Sequence, residues 1–187
     1  YGYQNEVGYD NTVSAINLST FKEDKKIELP AYNPVRLKKD NQGNIYVLCW
    51  EIWQKTKSSL YKLNPSTYAV TKIADGGVGI EMVLSGDKLL IMKLDYEADA
   101  TTFSYYNTKK GELINQSFIT DGTIIEKGNS LTVDPVTENI YVGTGDYLTK
   151  GKMYIFSKEG KLLNQFTSGG YYPMGAYFLT EKTYAVN

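Results

Sequence analysis

Aromatic and acidic side chains recur between the short apolar runs of this chain. Its 187 residues include 17 Tyr and 2 Trp. Flat rings with hydrogen-bonding tips, next to a few carboxylates, suit a sugar, a corrin-like ring or a peptide loop. Packing inside the core is the alternative for each single tyrosine. The candidate ligand-binding residues are Trp50, Glu51, Trp53, Tyr96, Asp146, Tyr147, Tyr171 and Tyr172.

A weaker metal candidate lies in one of these segments. Asp95, Glu97 and Asp99 have the alternating carboxylate spacing of a calcium loop. The glycine expected at the sixth position and the glutamate expected at the twelfth are replaced by Ala100 and Tyr106. A solvated acidic loop is therefore favoured over a calcium site.

The composition excludes several kinds of catalytic site. The chain has no His, which removes imidazole bases and His-ligated metals, and Cys49 lies in an apolar run typical of a core position. Glu51 and Asp146 could form a hydrolytic carboxylate pair, but the sequence cannot set the ~5 to 9 Å separation that such a pair needs. We therefore predict a non-enzymatic protein with no catalytic residues and no cofactor.

Charge and hydropathy exclude other partners. Lys and Arg total 20 against 21 Asp and Glu, and the two signs are interspersed, which argues against nucleic acid. No apolar run approaches the ~20 residues of a transmembrane helix, so no transmembrane segment is predicted. The start at Tyr1, without Met or a signal peptide, is expected of a processed or truncated product.

The elements that would position these side chains form a repeat, seen most clearly at residues 130–166. That segment contains four strand candidates separated by turn residues. The core of its second strand starts at Ile140, and equivalent runs start at Ile45, Leu89 and Thr183, so the spacings are 44, 51 and 43 residues. A period of ~40 to 50 residues with four strands is typical of propeller blades. The predicted fold is an all-β propeller of four-stranded antiparallel blades.

The repeat divides the chain into three full blades and two halves. The predicted units are an outer half-blade at 1–29, blades at 35–74, 81–118 and 130–166, and an inner half-blade at 175–186. Two arrangements are open. The favoured one is part of a larger propeller, and the alternative joins the two halves into a closed four-bladed ring.

Several of these strand and turn segments resemble a known family. The runs are 41–49, 60–65, 131–143 and 160–178, which include Leu131-Thr132-Val133-Asp134-Pro135 and Asn44-Ile45-Tyr46-Val47. They are similar to YncE-like, surface-layer-type β-propellers, in particular a subgroup of outer-membrane surface lipoproteins of Gram-negative gut bacteria. The resemblance implies a non-enzymatic, seven-bladed protein on the bacterial outer-membrane surface or outside the cell. Some members capture cobalamin for a membrane transporter, but no binding motif transfers residue by residue.

The loops decide where a ligand could bind. In a propeller, the loops between second and third strands share one face with the loops between blades, and here both kinds are long and aromatic. We call this the long-loop face. The first hypothesis is capture of a small molecule (a corrinoid) or glycan there. The second is a protein interaction scaffold of an outer-membrane uptake complex, with a transporter as possible partner. The third and least favoured is a carboxylate-based lyase or hydrolase.

Overall fold

The computed structural model describes residues 9–95, 98 and 100–180. Within these residues the chain forms strands and turns and contains no helix, so no helix there is long and apolar enough to cross a membrane. The strands are β1 (Thr12–Ile16), β2 (Glu23–Glu28), β3 (Pro34–Lys39), β4 (Ile45–Cys49), β5 (Ser59–Leu63), β6 (Val70–Ala74), β7 (Glu81–Ser85), β8 (Lys88–Asp95), β9 (Ala100–Asn107), β10 (Glu112–Ile114), β11 (Gly128–Val133), β12 (Ile140–Thr144), β13 (Lys152–Phe156) and β14 (Leu162–Thr167).

Within each sheet, every strand pairs with the next one along the chain. Strands β3 to β6, β7 to β10 and β11 to β14 form three four-stranded antiparallel sheets, and β1 pairs with β2 in a two-stranded sheet. The predicted all-β fold of four-stranded antiparallel blades is confirmed. We number the full sheets blade 1, blade 2 and blade 3 in chain order.

The blades stack face to face through the second strand of each sheet. In β4, Tyr46 and Leu48 pack towards blade 2, whereas Val47 and Cys49 pack towards β1 and β2. This division follows from the period of two, which sends successive side chains to opposite faces of a sheet. A central strand covered on both faces needs an apolar residue at every position, as these four consecutive buried residues show.

The outer hairpins close through a recurring asparagine. The side-chain oxygen of Asn64 accepts hydrogen bonds from the backbone N–H groups of Ser66 and Thr67, at 2.9 and 3.1 Å. The N–H of Tyr68, with φ +58°, donates to the carbonyl of Asn64. Asn17 and Asn107 repeat this pattern, with Phe21 and Gly111 at the left-handed position. Asparagine after β1, β5 and β9 therefore makes a local turn that satisfies its own backbone, whereas Ser157 takes this position after β13.

Residues 171–180 form no strand, but they lie beside the inner strand of blade 3. The carbonyl of Pro173 accepts hydrogen bonds from Asn129 Nδ2 and Ser130 Oγ, at 2.7 and 2.9 Å. The N–H of Ala176 donates to Thr132 Oγ1. The predicted inner half-blade at 175–186 is thus described only as far as residue 180, and the rest of it lies outside the described residues.

The closed four-bladed ring is not formed by the part of the chain that the structure describes. No hydrogen bond joins β1 or β2 to residues 171–180, and β1 pairs only with β2 among the described strands. The structure is a partial propeller, the arrangement that the sequence favours.

Candidate functional site

A cavity of about 440 Å³ opens on the long-loop face. Its wall is built from the first residues of the inner strands, from the end of β8, from the loop between blades 1 and 2, and from the loops that follow β4 and β12. The C-terminal segment completes the wall with Tyr172 and Met174. We call this space the channel cavity, because the inner strands of a propeller surround its central channel.

A fixed cation forms one wall of the channel cavity. Arg36 Nε donates to both carboxylate oxygens of Glu81, at 2.7 and 3.0 Å, and Nη1 donates to the carbonyl of Val35. The guanidinium carbon lies 5.1 Å from the centre of the Trp50 ring, and Trp50 Nε1 donates to the carbonyl of Ile80 at 2.6 Å. Ion pair, stacking and indole hydrogen bond together immobilise the guanidinium between blades 1 and 2.

The sequence prediction missed Arg36 and Glu81, although the repeat contains a signal for them. Arg36 pairs with Leu48, Glu81 with Met92 and Ser130 with Gly143, so the three occupy equivalent positions on successive inner strands. At that position Arg36 contacts Glu81, and Ser130 contacts Pro173 of the segment that follows. Opposite charges at equivalent inner-strand positions of adjacent blades would have predicted the ion pair.

An aromatic pair forms another wall. The rings of Tyr147 and Tyr172 stack with centroids 4.3 Å apart and planes within 8° of parallel. Tyr147 has φ +62°, and a Cβ at Gly145 would lie 2.6 Å from the carbonyl oxygen of Tyr171. The loop after β12 therefore needs glycine at 145 to approach residues 171 and 172 closely enough for the rings to meet.

Half of the predicted site residues line the channel cavity. These are Trp50, Glu51, Tyr147 and Tyr172. Trp53 and Tyr171 are exposed and lie outside the cavity lining, at 72% and 54% of full exposure. Tyr96 lies outside the described residues.

Asp146 lines a separate groove and is engaged by its own loop. Its carboxylate accepts backbone hydrogen bonds from Thr149 and Leu148, at 2.8 and 2.9 Å, and Lys127 Nζ lies 3.2 Å away. These three donors hold the pKa of Asp146 well below its usual range. These contacts indicate that the Asp146 carboxylate stabilises the conformation of its own loop.

The two carboxylates considered for hydrolysis do not line a common space. Glu51 lines the channel cavity and has Lys57 Nζ at 3.5 Å, whereas Asp146 lines the neighbouring groove and pairs with Lys127. The structure thus does not bring Glu51 and Asp146 together on one cavity.

The calcium candidate is only partly covered by the structure. Asp95 ends β8, while Glu97 and Asp99 lie outside the described residues. Elsewhere in residues 9–180 that are described, no group of three His, Cys, Asp or Glu side chains is placed to hold a metal. The interpretation of this segment as a solvated acidic loop, with calcium as the weak alternative, stays a prediction.

Replacing Trp53 by alanine is expected to change the free energy of unfolding by less than about 0.5 kcal/mol, because the ring is largely exposed. The turn that carries it is closed by backbone hydrogen bonds in both directions between Ile52 and Thr56. Urea denaturation measures the change. Ile52→Ala is the contrasting variant, since Ile52 is buried and its truncation is expected to cost about 2 kcal/mol or more. A large decrease in the free energy of unfolding for Trp53→Ala would show that the Trp53 ring packs in the core.

The comparisons with known proteins agree with this architecture. No family model and no curated protein sequence matches the chain. Several solved structures do. The Dos1 propeller matches with a TM-score of 0.59 at 15% identity, over 86% of this chain and 42% of that one. The chain folds as part of a β-propeller.

Two further solved structures show how widely this fold is used. A quinonprotein alcohol dehydrogenase-like protein from Bacteroides thetaiotaomicron gives a TM-score of 0.59 at 18% identity, over 89% of this chain and 43% of that one. A gluconolactonase from Xanthomonas campestris gives 0.56 at 15% identity, over 78% and 50%. The chain thus spans half or less of the length of these three structures. At such identities the similarity shows the fold alone, and it supports a propeller in general rather than the YncE-like family.

Proposed function

We propose that the chain is part of a non-enzymatic binding protein that captures a small molecule or glycan in the channel cavity. The observation that carries this proposal is the cavity itself. Its volume of about 440 Å³ lies in the range of ligand sites, and its wall combines aromatic rings with a few fixed polar groups. The resemblance of the sequence to surface propellers extends the proposal to a bacterial outer-membrane surface and to a transporter as the recipient.

The two aromatic walls differ in what they offer a ligand. One face of the Trp50 ring is covered by Arg36, so this indole contributes mainly by holding the guanidinium. Tyr172 stacks on Tyr147 and lines the cavity. The apolar face of a sugar or the edge of a corrin ring can pack against such a tyrosine pair, because the rings are large and lose little conformational freedom.

A thermal-shift panel of corrinoids, neutral glycans and acidic glycans tests whether the native chain binds any of them. A ligand that binds only the folded state raises the melting temperature, by the equivalent of about 2.7 kcal/mol at a hundredfold excess over Kd. We expect a shift with at least one member. An unchanged melting temperature across the whole panel would contradict the proposal.

Tyr172→Ala is expected to weaken the ligand identified by the panel about tenfold or more, since an aromatic stacking surface is worth about 1 to 3 kcal/mol. Isothermal titration calorimetry measures the loss. Tyr171→Ala is the matched control, because the adjacent tyrosine is exposed and does not line the cavity. Equal losses in the two variants would place the ligand outside the channel cavity.

A protein interaction scaffold is the second candidate, and one observation favours it. Trp53, Leu148 and Tyr171 are apolar or aromatic side chains on the long-loop face that remain largely exposed around the cavity. Exposed side chains of this kind are common at protein interfaces. In this case Trp53→Ala with Leu148→Asp would abolish association with the transporter, whereas Tyr172→Ala would leave it intact.

A further inference from the structure

The charged groups of the channel cavity are unevenly paired. Two cations, Arg36 and Lys93, and two carboxylates, Glu51 and Glu81, line it. Both carboxylates have partners, since Glu81 receives Arg36 at 2.7 Å and Glu51 lies 3.5 Å from Lys57. Lys93 forms no ion pair or hydrogen bond with any described residue. One positive charge on the wall is thus left without a counter-charge among these residues.

The described residues around Lys93 supply no carboxylate that pairs with it. Its Nζ lies 3.4 Å from the position that a Cβ of Gly77 would take, in the loop between blades 1 and 2. Asp75 lines the adjoining groove together with Lys93, but its carboxylate is held by Lys72 Nζ at 2.7 Å. Lys93 lines both the channel cavity and this groove, and no described residue uses any of the three N–H donors of its ammonium.

Arg36 adds a further donor to the wall of the same cavity. Its Nε and Nη1 are used by Glu81 and by the carbonyl of Val35, while Nη2 donates to no described residue. The stacking on Trp50 and the ion pair fix the guanidinium, so little rotamer freedom is lost when Nη2 binds an acceptor. A fixed guanidinium and an ammonium that line the same cavity can both donate to one oxyanion, and hydrogen bonds between charged groups of this kind are strong.

We propose that the ligand of the channel cavity is acidic, and specifically that it is a sugar-sized molecule whose carboxylate binds Lys93 Nζ and Arg36 Nη2. This inference rests on the proposed function and names its ligand class. A carboxylate suits the site because one unpaired positive charge matches one negative charge. The sugar ring then packs against Tyr172, on the aromatic wall of the same cavity.

The test compares one sugar with and without its charge. Galacturonate and its methyl ester have the same ring and hydroxyl groups and differ only in the carboxylate. By calorimetry at low ionic strength, we expect the acid to bind about tenfold or more tightly than the ester, and its advantage to shrink as sodium chloride is added. The salt titration uses the unaltered protein, so this test does not depend on whether a variant folds.

Two lysine variants locate the effect. Lys93→Met keeps the length of the side chain and removes its charge, and it is expected to bring acid and ester to within about twofold of each other. Lys25→Met is the matched control, because Lys25 is exposed on β2, has no ion pair with a described residue and does not line the cavity. It changes the net charge equally and is expected to leave the preference for the acid unchanged.

The outcomes separate this inference from the proposed function. Equal binding of acid and ester would overturn the acidic ligand while supporting capture of a glycan. A preference for the acid that survives Lys93→Met would overturn the assignment of the carboxylate to Lys93. If neither form binds, the acidic ligand is overturned, and the proposed function fails only if corrinoids and neutral glycans also leave the melting temperature unchanged.

Discussion

Gly160→Ala is expected to destabilise the chain by about 3 kcal/mol or more, as measured by urea denaturation. Gly160 lies in the turn between β13 and β14 with φ +83°, a conformation that costs an L-residue about 1 to 2 kcal/mol. A Cβ at this position would also overlap the carbonyl oxygen of Phe118, in the segment that connects blade 2 to blade 3. Relieving such an overlap by moving backbone adds about 1 to 3 kcal/mol.

The turn has no room to move away, because it is bonded to that connecting segment. Thr120 N donates to the carbonyl of Gly160 at 2.8 Å, and Leu162 N donates to the carboxylate of Asp121 at 2.6 Å. Gly43→Ala is the matched control, since Gly43 has φ +89° and nothing within 4 Å of a Cβ. It is expected to cost only the backbone strain, about 1 to 2 kcal/mol. Equal losses of stability in the two variants would show that the backbone at Phe118 moves away from the added Cβ at little energetic cost.

Asp40→Ala is expected to have a similarly large effect, a loss of about 3 kcal/mol in the free energy of unfolding. Asp40 is buried at the turn between β3 and β4, where one carboxylate oxygen accepts backbone bonds from Gln42 and Asn44. The other accepts the Tyr46 hydroxyl at 2.9 Å and Asn44 Nδ2 at 3.0 Å. Bonds to a charged group are worth about 1.5 to 3 kcal/mol, and their loss leaves the buried Tyr46 hydroxyl without an acceptor.

A double-mutant cycle with Tyr46→Phe tests that explanation. Removing the hydroxyl from the Asp40→Ala variant removes an unsatisfied buried donor, so we expect the two losses to be non-additive by about 1 kcal/mol or more. Strict additivity would contradict the role of the hydroxyl bond.

The same carboxylate gives a signature in the pH dependence of stability. Burial raises the pKa of Asp40, but the hydrogen bonds from Asn44 and Tyr46 outweigh it and hold the pKa below its usual value. The contribution of Asp40 is therefore complete above the unfolded pKa, near ~3.9, and is lost as the pH falls through the lower folded pKa. When the pH is lowered from 5, the free energy of unfolding is therefore expected to fall less for the Asp40→Ala variant than for the unaltered chain.

The sequence predicted the fold well because a propeller is a local repeat. Each blade carries its own strands and turns, and features such as Asn64 at the end of a third strand act on residues only two to four positions away. Gly160, in the turn between β13 and β14, is likewise a local turn residue with a positive φ. Signals of this kind do not depend on how the blades are arranged.

The candidate site was harder to predict because it is assembled between blades. Arg36, Glu81 and Lys93 come from strands of two different blades, and no short motif contains them. Tyr147 and Tyr172 were each predicted for the binding face, but their stacking depends on the C-terminal segment folding back onto blade 3. Asp146 looked like a ligand-facing carboxylate because sequence does not reveal that the next residues of its own loop satisfy it.

The asparagine hairpins also determine where the protein could be attached to a surface without covering its cavity. The turn at 64–68 lies at the end of the sheet opposite the long-loop face, and Ser66 is exposed there with its backbone bonded within the turn. Ser66→Cys would introduce one accessible thiol. Burial raises the pKa of Cys49, the only natural thiol, to about 11, so it stays protonated at neutral pH and reacts slowly. A thiol-coupled sensor chip would then hold every molecule in one orientation, with the cavity facing the solution.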